Sequence, residues 1–169
     1  MTLSFEPVVL PDDAEAAIEF LTVNEWPYHG RPRLDAAHAA QVALAGDDVA
    51  SFWIRDDGRT VGLIRALDLD DLADGSPLFD VRIGARDRGR GVGTAAVAWL
   101  TDHLFRTHDE LHRIEASTRH DNLAMQRVFA RCGYRWEGRM VEAWVQADGT
   151  RFDALTYAML RREWRDLDG

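Results

Sequence analysis

Lysine is missing from this chain of 169 residues, so all 20 of its basic side chains are arginines. A phosphate loop of the G-x-x-x-x-G-K-[ST] kind needs a lysine directly after its glycines, and that class of nucleotide binder is excluded. Cysteine is nearly missing as well. The single Cys132 cannot close an internal disulfide, which excludes a stapled secreted scaffold. It reads as a small buried side chain near a helix end. No apolar run is long enough to span a bilayer and no leader pattern opens the chain, so the expected compartment is the cytoplasm. Positive charge in excess is also lacking. At a formal net charge of −9 the chain carries no basic footprint for nucleic acid or an anionic membrane, and cationic substrates are favoured instead. Neither an internal repeat nor a low-complexity linker divides it, so residues 1–169 are expected to form a single domain.

The most informative stretch runs from Val81 to Val97, V-R-I-G-A-R-D-R-G-R-G-V-G-T-A-A-V. Val81 and Ile83 alternate as on a strand, and after Gly91 the residues become small and helix-permissive. Bare backbone at Gly89, Gly91 and Gly93 lets peptide N–H groups approach a ligand, and the following helix adds unpaired amides and the positive end of its dipole. This is an anion site, with Arg82, Arg86, Arg88 and Arg90 placed around it. A dinucleotide fingerprint needs G-x-G-x-x-G, which the spacing of these glycines does not match.

In chain order, Thr2 to Val9 reads as a strand, and Pro11-Asp12-Asp13 opens a helix. A loop from Asn24 to Arg33 carries Trp26, Tyr28 and His29, which could line an acceptor pocket or pack on the core. Leu34 to Leu44 reads as a helix ending at Gly46. Val49–Arg55 and Thr60–Leu69 form a hairpin about Asp57-Gly58, and an acidic turn leads into the strand at Leu78. Thr94–Phe105 is a helix, His112–Thr118 a strand, Leu123–Arg131 a helix, and Tyr134–Gln146 and Arg151–Leu160 are two closing strands. The expected order is βααβββαβαββ.

Set in that order, the motifs resemble the GNAT N-acetyltransferases, in the branch holding the ribosomal-protein N-terminal and spermidine acetyltransferases. The residues that carry the likeness are Ile83-Gly84, R-G-R-G-V-G-T from Arg88, H-R-I-E from His112, Asn122, C-G-Y at Cys132, E-G-R at Glu137, D-G-T-R-F-D from Asp148, and Tyr157, Leu160 and Glu163-Trp164. The resemblance implies an α/β (α+β) fold with a mixed, mostly antiparallel central sheet flanked by helices. It implies acetyl-CoA as co-substrate and transfer of its acetyl group to a primary amine on a small molecule, polyamine, antibiotic or protein N-terminus. The pyrophosphate would lie on Arg88, Gly89, Arg90, Gly91, Val92, Gly93 and Thr94, with Arg86 adding charge. The pantetheine arm would run along Val81 and Ile83, reach Asn122 and pack on Phe129.

An alkylammonium with a pKa of about 10 must lose a proton before it attacks a thioester. Asp80 is the first candidate to take it, with Glu115 and Glu142 behind. No metal is expected. Two positions depart from the branch: Phe129 stands where many relatives have a tyrosine, and Met125 where ribosomal-protein relatives often have a serine. Without those acids the other reading is a non-catalytic acyl-CoA sensor. The acceptor, the acyl group (acetyl, or succinyl while Arg31 and Arg33 are unplaced), and the choice between monomer and homodimer stay open.

Overall fold

The computed structural model describes residues 2–167. Leu3–Pro7 (β1) leads into the helices Ala14–Val23 (α1) and Ala36–Ala40 (α2), followed by the strands Ala45–Gly46 (β2), Val49–Asp56 (β3), Arg59–Leu67 (β4) and Leu78–Ile83 (β5). A 3₁₀ turn, Ala85–Asp87, precedes Val92–Thr107 (α3), and Arg113–Arg119 (β6), Leu123–Arg131 (α4), Arg135–Val145 (β7), Arg151–Leu160 (β8) and Arg161–Leu167 (α5) complete the chain. The β3–β4 turn is tight because Asp57 (φ 49°) and Gly58 (φ 80°) both take the left-handed conformation that a two-residue hairpin requires.

Helices flank antiparallel strands, as expected, but the strands form two sheets. One runs β1-β3-β4-β5 with β2 on β3, and the other runs β6-β8-β7. Every ladder is antiparallel. β5 and β6 meet where Glu115 N–H donates to Pro77 O at 2.9 Å, and no ladder continues from there.

The first sheet is covered on both faces, which explains its hydrophobic strands. Phe52, Ile54, Val61 and Ile64 join Val92, Val97, Leu100, Leu104 and Phe105 of α3 in the larger core, with Phe79, Val81 and Ile83 packed on it. Trp53 and Leu63 face the other way, into a smaller core with Ala17 and Leu21 of α1, Ala39 of α2 and Trp26. Each buried Leu, Val or Phe contributes about 1.5–3 kcal/mol to that packing. Period-two alternation therefore sends Asp80 and Arg82 toward the α1 side and Val81 and Ile83 toward α3.

Two boundaries differ from the sequence reading. The second helix closes at Ala40, where Gln41 N–H already donates to His38 O, and Ala45–Gly46 pairs with Ala50 and Val49. Leu44 is buried in the smaller core from that extended segment, so its apolar spacing came from a strand edge rather than a helix face. A further helix, α5, follows β8 without a break and packs Trp164 on Phe105 with ring centroids 5.3 Å apart.

Gly62 on β4 marks how closely β5 is held. A Cβ there would lie 2.8 Å from Arg82 O and from Ile54 Cδ1, and 2.9 Å from Ile83 Cδ1. Gly62→Ala is expected to destabilise the protein by about 1–3 kcal/mol, read as a lower denaturation midpoint, because neither backbone nor core can yield. An unchanged midpoint would show the sheet to be softer than its packing implies.

Candidate functional site

A cleft of about 380 Å³ opens where β5 and β6 part. Its floor is the turn before α3. Gly91 is the N-cap of α3 at φ 86° and has no side chain to cap it, so the first amides of a 16-residue helix stay open to a ligand. Gly89 holds φ 74°, and a Cβ at either residue would meet nothing within 4 Å. These glycines are therefore required by backbone conformation, and the space around them is free. Gly89, Gly91, Gly93 and Thr94 line the cleft, joined by Arg88 and by Arg127 and Arg131 of α4.

The wall above the turn is a strand edge. Gly84 N–H donates to Val61 O at 2.9 Å, so ladder alternation turns the N–H and C=O groups of Val81 and Ile83 away from β4, toward the gap. Ile83 O already accepts from Arg88 Nε at 3.0 Å. On the opposite side, Asn122 caps α4: its Oδ1 accepts from Met125 N at 3.2 Å and its Nδ2 donates to Thr118 Oγ1 at 3.0 Å. Asn122 and Met125 both line the cleft.

The third side is the Asn24–Arg33 loop, which contributes Trp26, Pro27, Tyr28 and His29. It is bolted to the glycine turn: Ala85 N–H donates to Asn24 Oδ1 at 3.0 Å, and Arg88 Nη2 donates to Glu25 O. It is also tied to the far hairpin, where Ala147 N–H donates to Gly30 O at 2.7 Å, and to the end of β6, where Arg119 Nη1 donates to Pro27 O at 3.1 Å. Trp26 is both wall and core, since it is 1% exposed and its indole N–H donates to Leu21 O at 2.9 Å.

Behind this wall Asp80 accepts from three partners. His29 Nε2 lies 2.8 Å from Oδ1, and Oδ2 accepts from Arg65 Nη2 at 2.8 Å and Arg82 Nε at 2.9 Å. Burial alone would push its carboxyl up, but the His29 hydrogen bond and the charges of Arg82, His29 and Arg65 outweigh this and hold it well below the usual carboxylate range. A carboxylate so stabilised is a poor proton acceptor. Asp80 holds the ring of His29 through Nε2, and Nδ1 is left buried and without a hydrogen-bond partner among the described residues.

The remaining expectations divide. Glu115 pairs with Arg113 at 2.9 Å and Glu142 sits on an exposed bulge of β7 at φ 53°, both outside the cleft lining. The alternation that put Glu115 on a strand could not say which sheet face meets the gap. Phe129, expected against the pantetheine, is instead sealed in the core between Phe79, Tyr134 and Tyr157. Val92 is likewise buried on the inner face of α3, leaving only its backbone toward the turn. Arg86 is exposed and off the lining. Arg90 is committed to Asp87 at 2.7 Å and Asp56 at 3.1 Å, while Arg59 grips Asp87 from the other side at 2.8 and 2.9 Å. That cluster shapes the turn. Cys132 is buried with its thiol pushed up to about 11 by desolvation, so it stays protonated at neutral pH. Sequence reasoning passed over Arg127 and Arg131, although their spacing of four on α4 puts both on one helix face.

With this geometry in place, the comparisons are consistent. The acetyltransferase (GNAT) domain model matches residues 3–135. The chain is similar to Mycobacterium smegmatis RimJ bound to a CoA disulfide, at 27% identity over 95% of this chain and 83% of that one, with a TM-score of 0.76. A chimera of the Vibrio cholerae spermidine N-acetyltransferase SpeG and hSSAT shares the fold at 17% identity, over 98% and 99% of the two chains, with a TM-score of 0.81. The aminoglycoside acetyltransferase AAC(6')-Ib, in complex with coenzyme A, shares it at 18% identity over 99% and 100%, with a TM-score of 0.77. No curated protein matches the sequence. A family model spanning most of the chain, on a fold with an amide-lined turn at a parted strand edge, leaves one conclusion: the chain belongs to the GNAT acetyltransferase family.

Proposed function

We propose that residues 1–169 act as one domain that moves an acetyl group from acetyl-CoA to a primary amine. The observation carrying this reading is the continuity of two features in one cleft: unpaired helix amides at Gly91 to Thr94, and the outward N–H and C=O groups of Val81 and Ile83. The first suits a diphosphate and the second a peptide-like pantetheine arm, which can pair with an open strand edge. Arg88, Arg127 and Arg131 supply charge to the phosphates. Titratable or nucleophilic side chains need not form a covalent intermediate here, because an amine attacks a thioester directly.

On this reading His29 is the proton acceptor and Asp80 positions it. The acceptor enters between the Trp26–His29 loop and β5, and as that wall shifts His29 Nδ1, otherwise buried, takes the ammonium proton, and the free amine attacks the thioester carbon. An oxyanion forms as the C–N bond closes, and an outward N–H of β5 is placed to stabilise it. The adduct nitrogen gives up its second proton to water, the C–S bond breaks, and coenzyme A leaves as thiolate. Among the described residues no helix is long and apolar enough to cross a membrane, and a cytoplasmic monomer or homodimer fits this chemistry.

Calorimetry tests the carrier site. Wild-type protein should bind CoA, and Gly91→Asp should lower the affinity at least about 100-fold, because an N-cap carboxylate takes the helix amides for itself and repels the diphosphate. The left-handed backbone at Gly91 strains any side chain by about 1–2 kcal/mol, so the melting temperature without CoA should fall by a few degrees, while the rise with CoA disappears altogether. Undiminished uptake by the variant would refute the site. CoA binding without thiol release across amines and N-terminal peptides would leave an acyl-CoA sensor instead.

A further inference from the structure

Next to His29 stands a cation that this chemistry does not use. Arg82 is 8% exposed and lines the cleft. Its Nε donates to Asp80 Oδ2 at 2.9 Å, and its guanidinium carbon lies 5.3 Å from the Trp26 ring centroid. Neither terminal nitrogen has an acceptor among the described residues, and Nη1 is out of contact with solvent as well.

The neighbouring cation makes the contrast. Arg65 spends Nε and Nη2 on Asp80, at 3.2 and 2.8 Å, and Nη1 on Ala43 O at 2.6 Å, so all its nitrogens are bonded. Buried Arg82 and half-buried Arg65 therefore share one carboxylate, and the surplus charge resides on Arg82. Other nearby carboxylates are taken: Asp87 is held by Arg59 and Arg90, and Asp56 by Arg90. A guanidinium taken out of water with two of its three nitrogens unbonded is costly, more so than the cation–π contact with Trp26 repays. An incoming carboxylate meets Nη2 first and reaches Nη1, sealed from solvent, as the wall yields; the two nitrogens together make the planar fork that fits it.

We propose that Arg82 is an anion subsite that reads a carboxylate carried by one of the two substrates. For the source of that carboxylate the proposal rests on the acyltransferase reading. It lies either on the acceptor, as in an amino acid whose amine meets His29, or at the far end of a dicarboxylic acyl chain such as succinyl.

Thiol release distinguishes the sources. In one arm acetyl-CoA is offered with a panel of amino acids, each beside its carboxamide. In the other a neutral amine is offered with succinyl-CoA beside acetyl-CoA. The carboxylate-bearing member should lead in one arm by at least about tenfold in kcat/KM, as charge-assisted hydrogen bonds discriminate. Arg82→Gln should bring that ratio to about one, and Arg82→Lys, which keeps charge but not the fork, should fall between. No preference in either arm, or a preference that survives Arg82→Gln, overturns the proposal. A second measurement is independent of turnover: titration of N-acetylglycine, succinate and N-acetylglycinamide into the protein by calorimetry, with and without CoA. An anion should bind more tightly than the amide in wild type but not in Arg82→Gln, and equal affinities overturn the subsite. Should CoA itself fail to bind, the acyltransferase reading falls, and the CoA-free titration still decides Arg82.

Discussion

His29→Gln is expected to lower kcat by about 10²–10⁴-fold, the range that a positioned general base contributes. Glutamine keeps a polar group for Asp80 Oδ1, which His29 Nε2 now meets at 2.8 Å, but has no basic nitrogen to take the ammonium proton. The loss should shrink as pH rises toward the pKa of the amine, about 10, because free amine then arrives without help. A merely structural histidine would lower activity equally at every pH. Full activity in the variant, or a pH-independent deficit tracking a lower melting temperature, would remove His29 from the chemistry.

Asp80→Asn should cost the most stability. It leaves Arg65 and Arg82, 12% and 10% exposed at the side chain, without their anion, a loss of about 3–5 kcal/mol for a broken buried pair. That corresponds to a fall in Tm of roughly 6–20 °C for a chain of this size. The pH dependence has a definite sign. Asp80 is held well below its ordinary pKa when folded, so its contribution is fully present above the unfolded value of about 3.9 and is lost as pH falls through the folded one. The gap between wild type and variant should therefore be wide and flat at neutral pH and narrow below about pH 4. A variant as stable as wild type at pH 7 would mean that Arg65 and Arg82 are accommodated without the carboxylate.

How much of this could be read beforehand depended on range. The glycine turn was readable because the left-handed backbone at Gly89 and Gly91 is a local demand that only a few residues meet. Leu123–Arg131 and Arg151–Leu160 fell where a cap, a C′ glycine and a turn bracket them. Asp80 was singled out as the first candidate to take the proton, a role that its ion pairs with Arg65 and Arg82 disfavour. Its meaning depends on His29, 51 positions away, and on Arg65, set across from it by the β4–β5 register. Phe129 was assigned to the ligand because a relative's tyrosine stands there, yet its helix face turns into the core once Phe79 and Tyr157 are in place. Glu115 and Glu142 fail for the same reason: strand membership is local, whereas which edge borders the gap is a property of two sheets.

The tether between Arg88 and the acceptor loop has a kinetic consequence. Its guanidinium donates both to Ile83 O and to Glu25 O, so a phosphate that draws it away removes one tether of the loop carrying Trp26 and His29, while those at Asn24, Pro27 and Gly30 hold. On the acetyl-transfer reading the carrier would then loosen one edge of the wall beside the amine's path, and the two substrates would be coupled without either having to come first.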